Sequence, residues 1–198
     1  MRIIAGEFKG RTLAAPKGIA TRPTTDRVRE SLMSAIGSAR GGFDDAVVLD
    51  AFAGSGALGL EALSRGAASV HFYEINASAL RTLSANVAAL QVLSAVAIVH
   101  RCDVLKAPPT RQQQPFDLVF LDPPYALETK SVRGLIAALD AAAALADDAL
   151  ICYEHDKAYA IDLDSDDGSA VFSSHFDIIS HKVYGDTAID ILRKEPIS

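Results

Sequence analysis

Asp122-Pro123-Pro124-Tyr125, at the exit of the apolar run Leu118-Val119-Phe120-Leu121, has the residue types needed to hold a planar amine beside a reactive group. Asp122 and the Pro123 carbonyl are acceptors for the two N–H bonds of one exocyclic amine, and Tyr125 offers a face for stacking. Pro124 removes a donor and fixes φ, so the turn stays rigid and its carbonyls stay aimed. A strand end with a proline turn is common, so the tetrapeptide alone leaves a purely structural role open. A second constellation lies upstream. Asp50-Ala51-Phe52-Ala53-Gly54-Ser55-Gly56-Ala57-Leu58-Gly59 follows a short apolar run and opens a helix. Its glycines allow a ligand to approach the backbone closely, and Glu74, 20 residues after Gly54, is spaced to accept ribose hydroxyls.

Two cofactor classes share a glycine turn and a ribose-binding acid: the dinucleotides and S-adenosylmethionine. Asp50 helps to decide between them. A diphosphate at a helix N-terminus is stabilised by free N–H groups and the helix dipole, and a carboxylate at the loop entrance opposes that anion. The same carboxylate suits the ammonium and sulfonium of S-adenosylmethionine. Asp103, after a third strand, can accept from an adenine amine. Any one of these acids alone reads as a cap or turn residue. Asp50, Glu74, Asp103 and Asp122 together, each at or just after a strand end, do not.

The elements that must position them alternate. Apolar strands are expected at Ala46–Asp50, Ser69–Glu74, Ala95–His100, Asp117–Asp122 and Leu150–Glu154. Helices are expected from Thr25 or Asp26 to about Ser38, over 57–64, from an Asn76 cap to Leu90, and over 128–145. Residues 1–14 read as a hairpin, and 175–184 with 187–193 as a closing hairpin around Gly185-Asp186. Strands separated by helix-length stretches imply a mostly parallel sheet covered on both faces. Ligands then bind at the carboxyl ends of its strands. The expected architecture is α/β, a Rossmann-like, mostly parallel seven-stranded sheet with an antiparallel C-terminal hairpin and a small N-terminal β-hairpin. The expected division is an arm over 1–25 and a catalytic domain over 26–198.

Apolar residues make up 49% and charged residues 22%, an ordinary globular balance over 198 residues. No apolar run is long enough for a membrane span, and the charged start is not a signal peptide. Cys102 and Cys152 show no metal or redox spacing, which suits a reducing cytoplasm. No metal is expected. The acidic stretch 162–168 lacks the terminal glutamate of a calcium loop and reads as solvated surface. Net charge is −6, yet residues 1–40 carry eight basic side chains against Glu7, Asp26 and Glu30, a local +5. A basic segment on an acidic body supplies the local field that phosphate contacts require.

The ordered motifs Asp50 to Gly56, Glu74, Asp103 and Asp122-Pro123-Pro124-Tyr125 resemble those of class I S-adenosylmethionine-dependent amino-methyltransferases. The stretches 2–11 and 22–32, with 182–187, narrow the resemblance to the bacterial 16S rRNA (guanine(966)-N2)-methyltransferase family, over nearly the whole chain. The resemblance implies that Asp50 and the loop of Phe52, Ala53, Gly54, Ser55 and Gly56 hold the methionine part of the cofactor. It places Glu74 on the ribose and Ile75 against the adenine. It puts Asp103 at the adenine amine, with Cys102 and Val104 lining the pocket. Asp122 would border both cofactor and substrate. Asp122, Pro123 and Tyr125 would take a flipped guanine. Arg2, Lys9, Arg11, Arg22, Thr24, Arg27 and Arg29, with Pro124 and Tyr125, would contact RNA.

The implied partner is 16S rRNA in a partly assembled small subunit, the product cofactor is S-adenosylhomocysteine, and a monomer is expected. The alternative is an adenine-N6 methyltransferase acting on DNA or RNA, which shares the tetrapeptide but normally needs a target-recognition domain. A protein-glutamine methyltransferase usually has Asn in place of Asp122. A dinucleotide oxidoreductase is disfavoured by Asp50, and a non-catalytic RNA-binding module by the intact set of acids.

Overall fold

The computed structural model describes residues 1–16, 26–124, 126–158 and 175–196. Seven strands form one sheet in the order β3-β2-β1-β4-β5-β7-β6. They are β1 (Val47–Asp50), β2 (Ser69–Tyr73), β3 (Ala97–His100), β4 (Phe116–Leu121), β5 (Leu145–Asp156), β6 (Phe176–Tyr184) and β7 (Thr187–Lys194). The helices are α1 (Asp26–Arg40), α2 (Ala57–Ser64), α3 (Ala77–Leu90) and α4 (Thr129–Ala141). The first five strands pair in parallel, and β7 inserts antiparallel between β5 and β6. The chain winds outward from β1 to β3 and then returns to place β4 on the other side of β1. That reversal is the topological switch point at which such sheets bind ligands.

Alternation along the central strands builds two cores. Val48, Leu118, Phe120 and Cys152 face one side, packed with residues of α1, α2 and α3. Leu49, Val119, Leu121, Ile151 and Tyr153 face the other, packed with residues of α4. Burial on both faces explains why these strands are continuous apolar runs. Asn76 caps α3 as its sequence predicts, its side chain accepting from the N–H groups of Ser78 and Ala79.

Residues 1–16 are packed into the first core. Ile3 and Leu13 are buried, and the expected hairpin closes through one antiparallel bridge, Arg2 to Thr12, rather than a strand ladder. The backbone groups a ladder needs are engaged elsewhere. The Ile4 and Ala5 N–H groups donate to the Glu61 carboxylate at 2.8 and 3.1 Å, and those of Glu7 and Phe8 donate to Ser64 at 2.7 and 2.9 Å. Gly6 is required here, since a Cβ would lie 1.6 Å from the Ser64 carbonyl oxygen. A second difference concerns the alanine-rich stretch. The helix expected over 128–145 stops at Ala141, and β5 begins at Leu145, five residues earlier than expected. Pairing of Leu145 with Phe116 outweighs alanine's helix propensity there. Residues 22 and 24, the acidic stretch 162–168 and Tyr125 lie outside the described residues.

Beside the second core, His155 is buried between two acceptors, the Asp156 carbonyl at 2.8 Å and Asp190 Oδ2 at 3.0 Å. Both acceptors are met at once only when both ring nitrogens donate, so the surroundings favour the imidazolium. Burial alone would lower its pKa, but the bonds to Asp190 and Asp156 raise it above the ordinary 6.5. Burial would likewise raise Asp190, but bonds from His155 and His181 hold it below 3.8. The raised histidine contributes stability below its unfolded pKa and loses it as pH rises through the folded one. The lowered aspartate contributes above its unfolded pKa and loses it as pH falls through the folded one. The pair is therefore fully effective between 3.8 and 6.5. Asp190→Ala should cost about 3 kcal/mol in denaturant unfolding at pH 6, the penalty for stranding a buried charge, and less well above that pH.

Candidate active site

At the switch point, β1 ends in Asp50, 3% exposed, and the chain turns through Ala51 to Gly56 into α2. Gly56 precedes α2 with φ 80° and no side-chain cap. A Cβ on it would lie 2.4 Å from Leu83 Cδ1. With the cap position bare, Asp50 supplies the anion at the helix start: the Gly59 N–H donates to its Oδ2 at 3.1 Å. Burial raises the Asp50 carboxyl to about 7; the Gly59 bond opposes this and the charge of Glu74 adds to it. A buried carboxyl at that value sits unpaired with any cation among the contacts it makes, which fits a site for a positively charged group.

Glu74 follows β2 and holds the glycine loop from the side. Its Oε2 accepts from Gly54 N at 2.8 Å and its Oε1 from Asn76 N at 2.6 Å. Each oxygen retains further acceptor capacity. Next to it, Ile75 is 62% exposed, an apolar surface left open at the strand exit. Asp103, after β3, folds its own turn by accepting from Leu105 N at 3.0 Å, with Lys106 Nζ at 3.8 Å. Cys102 is half-buried and Val104 buried beside it. The exits of β1, β2 and β3 thus bring Asp50, Glu74 and Asp103 to one edge of the sheet.

Asp122 and Pro123 follow β4, the neighbour of β1 on the other side of the switch point. Pro123 is buried, while Asp122 and Pro124 are exposed at the cleft. The protein packed behind the Asp122 carboxyl, and then the charges of Glu154 and Asp50, push its pKa well above the usual carboxylate range. Solvent access at the cleft mouth weakens the first of these effects. The Pro124 carbonyl closes a turn by accepting from Leu127 N at 2.8 Å, so it is committed before any substrate arrives.

Of the basic residues expected at RNA, Arg2, Lys9, Arg11 and Arg27 are exposed. Arg29 is corrected: it is 2% exposed, donates to the Arg2 carbonyl and to Asp26, and faces Glu61 at 3.9 Å. It anchors the N-terminal segment instead of meeting solvent. Three residues escaped sequence reasoning. Glu61 holds the N-terminal segment to α2. Buried Asn86 bonds both backbone groups of Ala14 and, at 2.9 Å, the Ser55 carbonyl of the glycine loop. Glu154 lies within β5, two residues before its end at Asp156, where its charge acts on Asp122. A polar residue inside an apolar helix face was the signal for Asn86, and the strand-end rule that found the other acids applied equally to Glu154.

A seven-stranded sheet in this order, with acids at the exits of its parallel strands and a glycine turn between β1 and α2, is the class I methyltransferase architecture. Within that class the chain belongs to the family described as "Conserved hypothetical protein 95", which matches residues 1–193. A Bacillus subtilis protein provisionally named an rRNA methyltransferase is 37% identical over 196 residues, 98% of this chain and 99% of that protein. Ribosomal RNA small subunit methyltransferase D of Escherichia coli K12 is 35% identical over 199 residues, 98% of this chain and 90% of its own. A solved Escherichia coli structure, provisionally named a methyltransferase, superposes with a TM-score of 0.79 at 33% identity and covers 98% of each chain.

Among the described residues, no group of three or more His, Cys, Asp or Glu side chains is arranged to hold a metal ion, and no helix is long and apolar enough to cross a membrane. An ionised Asp50 would attract a cationic cofactor, and a protonated one would not. Affinity for S-adenosylmethionine, followed by calorimetry, should therefore fall as pH is lowered from about 8 to about 6. Asp50→Asn should flatten that dependence and weaken binding at the higher pH by at least about tenfold, near 1.4 kcal/mol, while melting no lower than the unmodified protein.

Proposed function

We propose that this protein transfers a methyl group from S-adenosylmethionine to the exocyclic N2 amine of a guanine in 16S rRNA. The single observation that carries the reading is the position of Asp122-Pro123, a rigid pair of acceptors, directly across the switch point from Asp50 and the glycine loop. The names of the relatives at 37% and 35% identity support the rRNA substrate.

The donor set fits the cofactor. Asp50 is a buried anion for its ammonium and sulfonium, Glu74 offers acceptors to ribose hydroxyls, and exposed Ile75 offers a flat apolar face to the adenine. Phe52, Ala53, Gly54, Ser55 and Gly56 form the turn about the methionine part, and Cys102, Asp103 and Val104 the far wall. When bound, S-adenosylmethionine supplies an electrophilic methyl on a good leaving group. The chain's own work is done on the base. The guanine N2 lone pair is delocalised into the ring and is a poor nucleophile. Hydrogen bonds from both of its N–H groups to Asp122 and to the Pro123 carbonyl favour a pyramidal nitrogen and free that lone pair. Positioning supplies most of the acceleration. The nitrogen's proton becomes acidic as the methyl is gained, so Asp122 can take it without being a strong base. Its raised pKa suits that role.

Reaching the pocket requires the guanine to leave its stack, at a cost of a few kcal/mol. Stacking on Tyr125 returns about 1–3 kcal/mol. Arg2, Lys9, Arg11 and Arg27, with Arg22 and Thr24 of the neighbouring segment, would hold the RNA backbone. We place the protein in the cytoplasm as a monomer, acting on a small subunit that already carries some ribosomal proteins.

Tritiated methyl transfer into 30S particles, protein-free rRNA and DNA, followed by nucleoside analysis, tests this reading. Label should appear in N2-methylguanine in the rRNA of the particles. Label in N6-methyladenine, or in DNA, would refute it. Asp122→Ala should abolish transfer while leaving cofactor affinity within about threefold of normal, since its bonds are to substrate. Deleting the N-terminal segment would unfold part of the core, because Ile3 and Leu13 are buried in it. The RNA grip is tested instead by Arg2→Ala with Lys9→Ala. These exposed changes should weaken RNA binding and lower its salt slope by roughly one unit for each phosphate that is no longer neutralised.

A further inference from the structure

We propose that Asn86 is a positioning residue that couples the N-terminal segment to the glycine loop, so that RNA held by the segment tightens the hold on S-adenosylmethionine; this rests on the function just proposed. The buried residues of α3 recur at Ala79, Leu83, Asn86 and Leu90, the spacing of one helical face. Three of them are apolar, and Leu83 packs against Gly56 of the loop. The other, Asn86, is 3% exposed and is engaged by two parts of the chain. Its Oδ1 accepts from Ala14 N at 2.8 Å, and its Nδ2 donates to the Ala14 carbonyl at 3.1 Å and to the Ser55 carbonyl at 2.9 Å. Turned over, the amide would set its oxygen against two carbonyls, so these partners fix its orientation. A leucine would fill the space and deprive all three backbone groups of this partner.

Ser55 lies between Gly54 and Gly56, both at positive φ. Glycine permits many backbone conformations, so bonds from outside set this turn. Glu74 holds Gly54 from the strand side, and Asn86 holds the Ser55 carbonyl from the helix side. The Ser55 hydroxyl also donates to the Met1 sulfur at 3.6 Å. Both ends of the N-terminal segment therefore bear on this one loop residue, Met1 directly and Ala14 through Asn86. The Leu13 N–H donates to the Met1 carbonyl at 3.0 Å and keeps those ends together. Between them lie Arg2, Lys9 and Arg11, and Arg11 donates to the Ala89 carbonyl, three residues beyond Asn86 on α3. Phosphate contacts that fix the segment thus also fix Ala14, the Asn86 amide and the Ser55 carbonyl. A loop already ordered in this way loses less freedom on taking the cofactor. Linkage requires the reciprocal effect, a tighter grip on RNA when the cofactor is bound.

The experiment measures the affinity of the full chain for radiolabelled S-adenosylhomocysteine, which cannot react, with and without unmethylated small-subunit particles. In the unmodified protein the particles should raise that affinity by about fivefold or more, the scale of coupling between two sites. Asn86→Leu should hold the gain below about twofold. Its binding to particles without the cofactor, followed by sedimentation, should stay unchanged, because the cations are untouched. Hydrogen exchange in the unmodified protein needs no variant, so it decides the matter even if Asn86→Leu folds poorly. Particles alone should slow exchange across residues 51–60, which contain the loop. A gain in affinity that persists in Asn86→Leu would overturn the proposal. So would equal affinities with and without particles in the unmodified protein, or exchange in the loop that the particles leave unaltered. Failure of the unmodified protein to bind the particles at all would instead remove the underlying reading, and the proposal with it.

Discussion

Everything in this molecule depends on holding carboxylates at the exits of parallel strands, where burial and mutual repulsion both oppose them. Asp50 is the most buried of them: it is 3% exposed, with a carboxyl lifted to about 7. The backbone compensates it only in part, through one N–H of α2. A fold built for stability alone would place an apolar side chain there. The proposed site, which would attract a cation and orient a donor-rich base, would gain from such an acid. The cost is tolerated because the predominantly apolar packing on both faces of the sheet fixes the strand ends that carry the acids.

The N-terminal segment shows how the same economy extends outward. Its cations Arg2, Lys9 and Arg11 are exposed, while its backbone is spent on Glu61 and Ser64 of α2 and on Asn86 of α3. These exposed cations therefore ride on the helix that begins at the glycine loop. Asn86 touches both Ala14 and Ser55, so the segment and the loop share one rigid support. Arg29 belongs to that support, with its guanidinium turned inward toward Asp26 and Glu61. Basic composition located the segment but could not tell which arginines hold the protein together and which meet a ligand.

Much of the fold was legible because its signals are local. Apolar runs ending in acids marked the parallel strands, and α2 over 57–64 and the Asn76 cap fall where periodicity and capping chemistry put them. Misreadings arose where a distant partner overrode a local preference. The alanine-rich stretch after Ala141 favours helix, but Leu145 has a strand partner in Phe116. The first hairpin has the pattern of a ladder, but Glu61 and Ser64 capture its N–H groups from more than fifty residues away.

The sequence by itself determined the reaction class, because the types and spacing of Asp50, Gly54, Gly56, Glu74 and the Asp122 tetrapeptide are chemical requirements that hold in any surroundings. Tertiary structure alone decided which groups neighbour one another. Strand order places β4 against β1 and β5 against β4, and that adjacency, invisible to linear spacing, sets Asp122 between Asp50 and Glu154. A carboxylate's charge acts over a few ångströms of space, whatever its separation along the chain. The character of the site therefore follows from the order of the strands as much as from the residues at their ends.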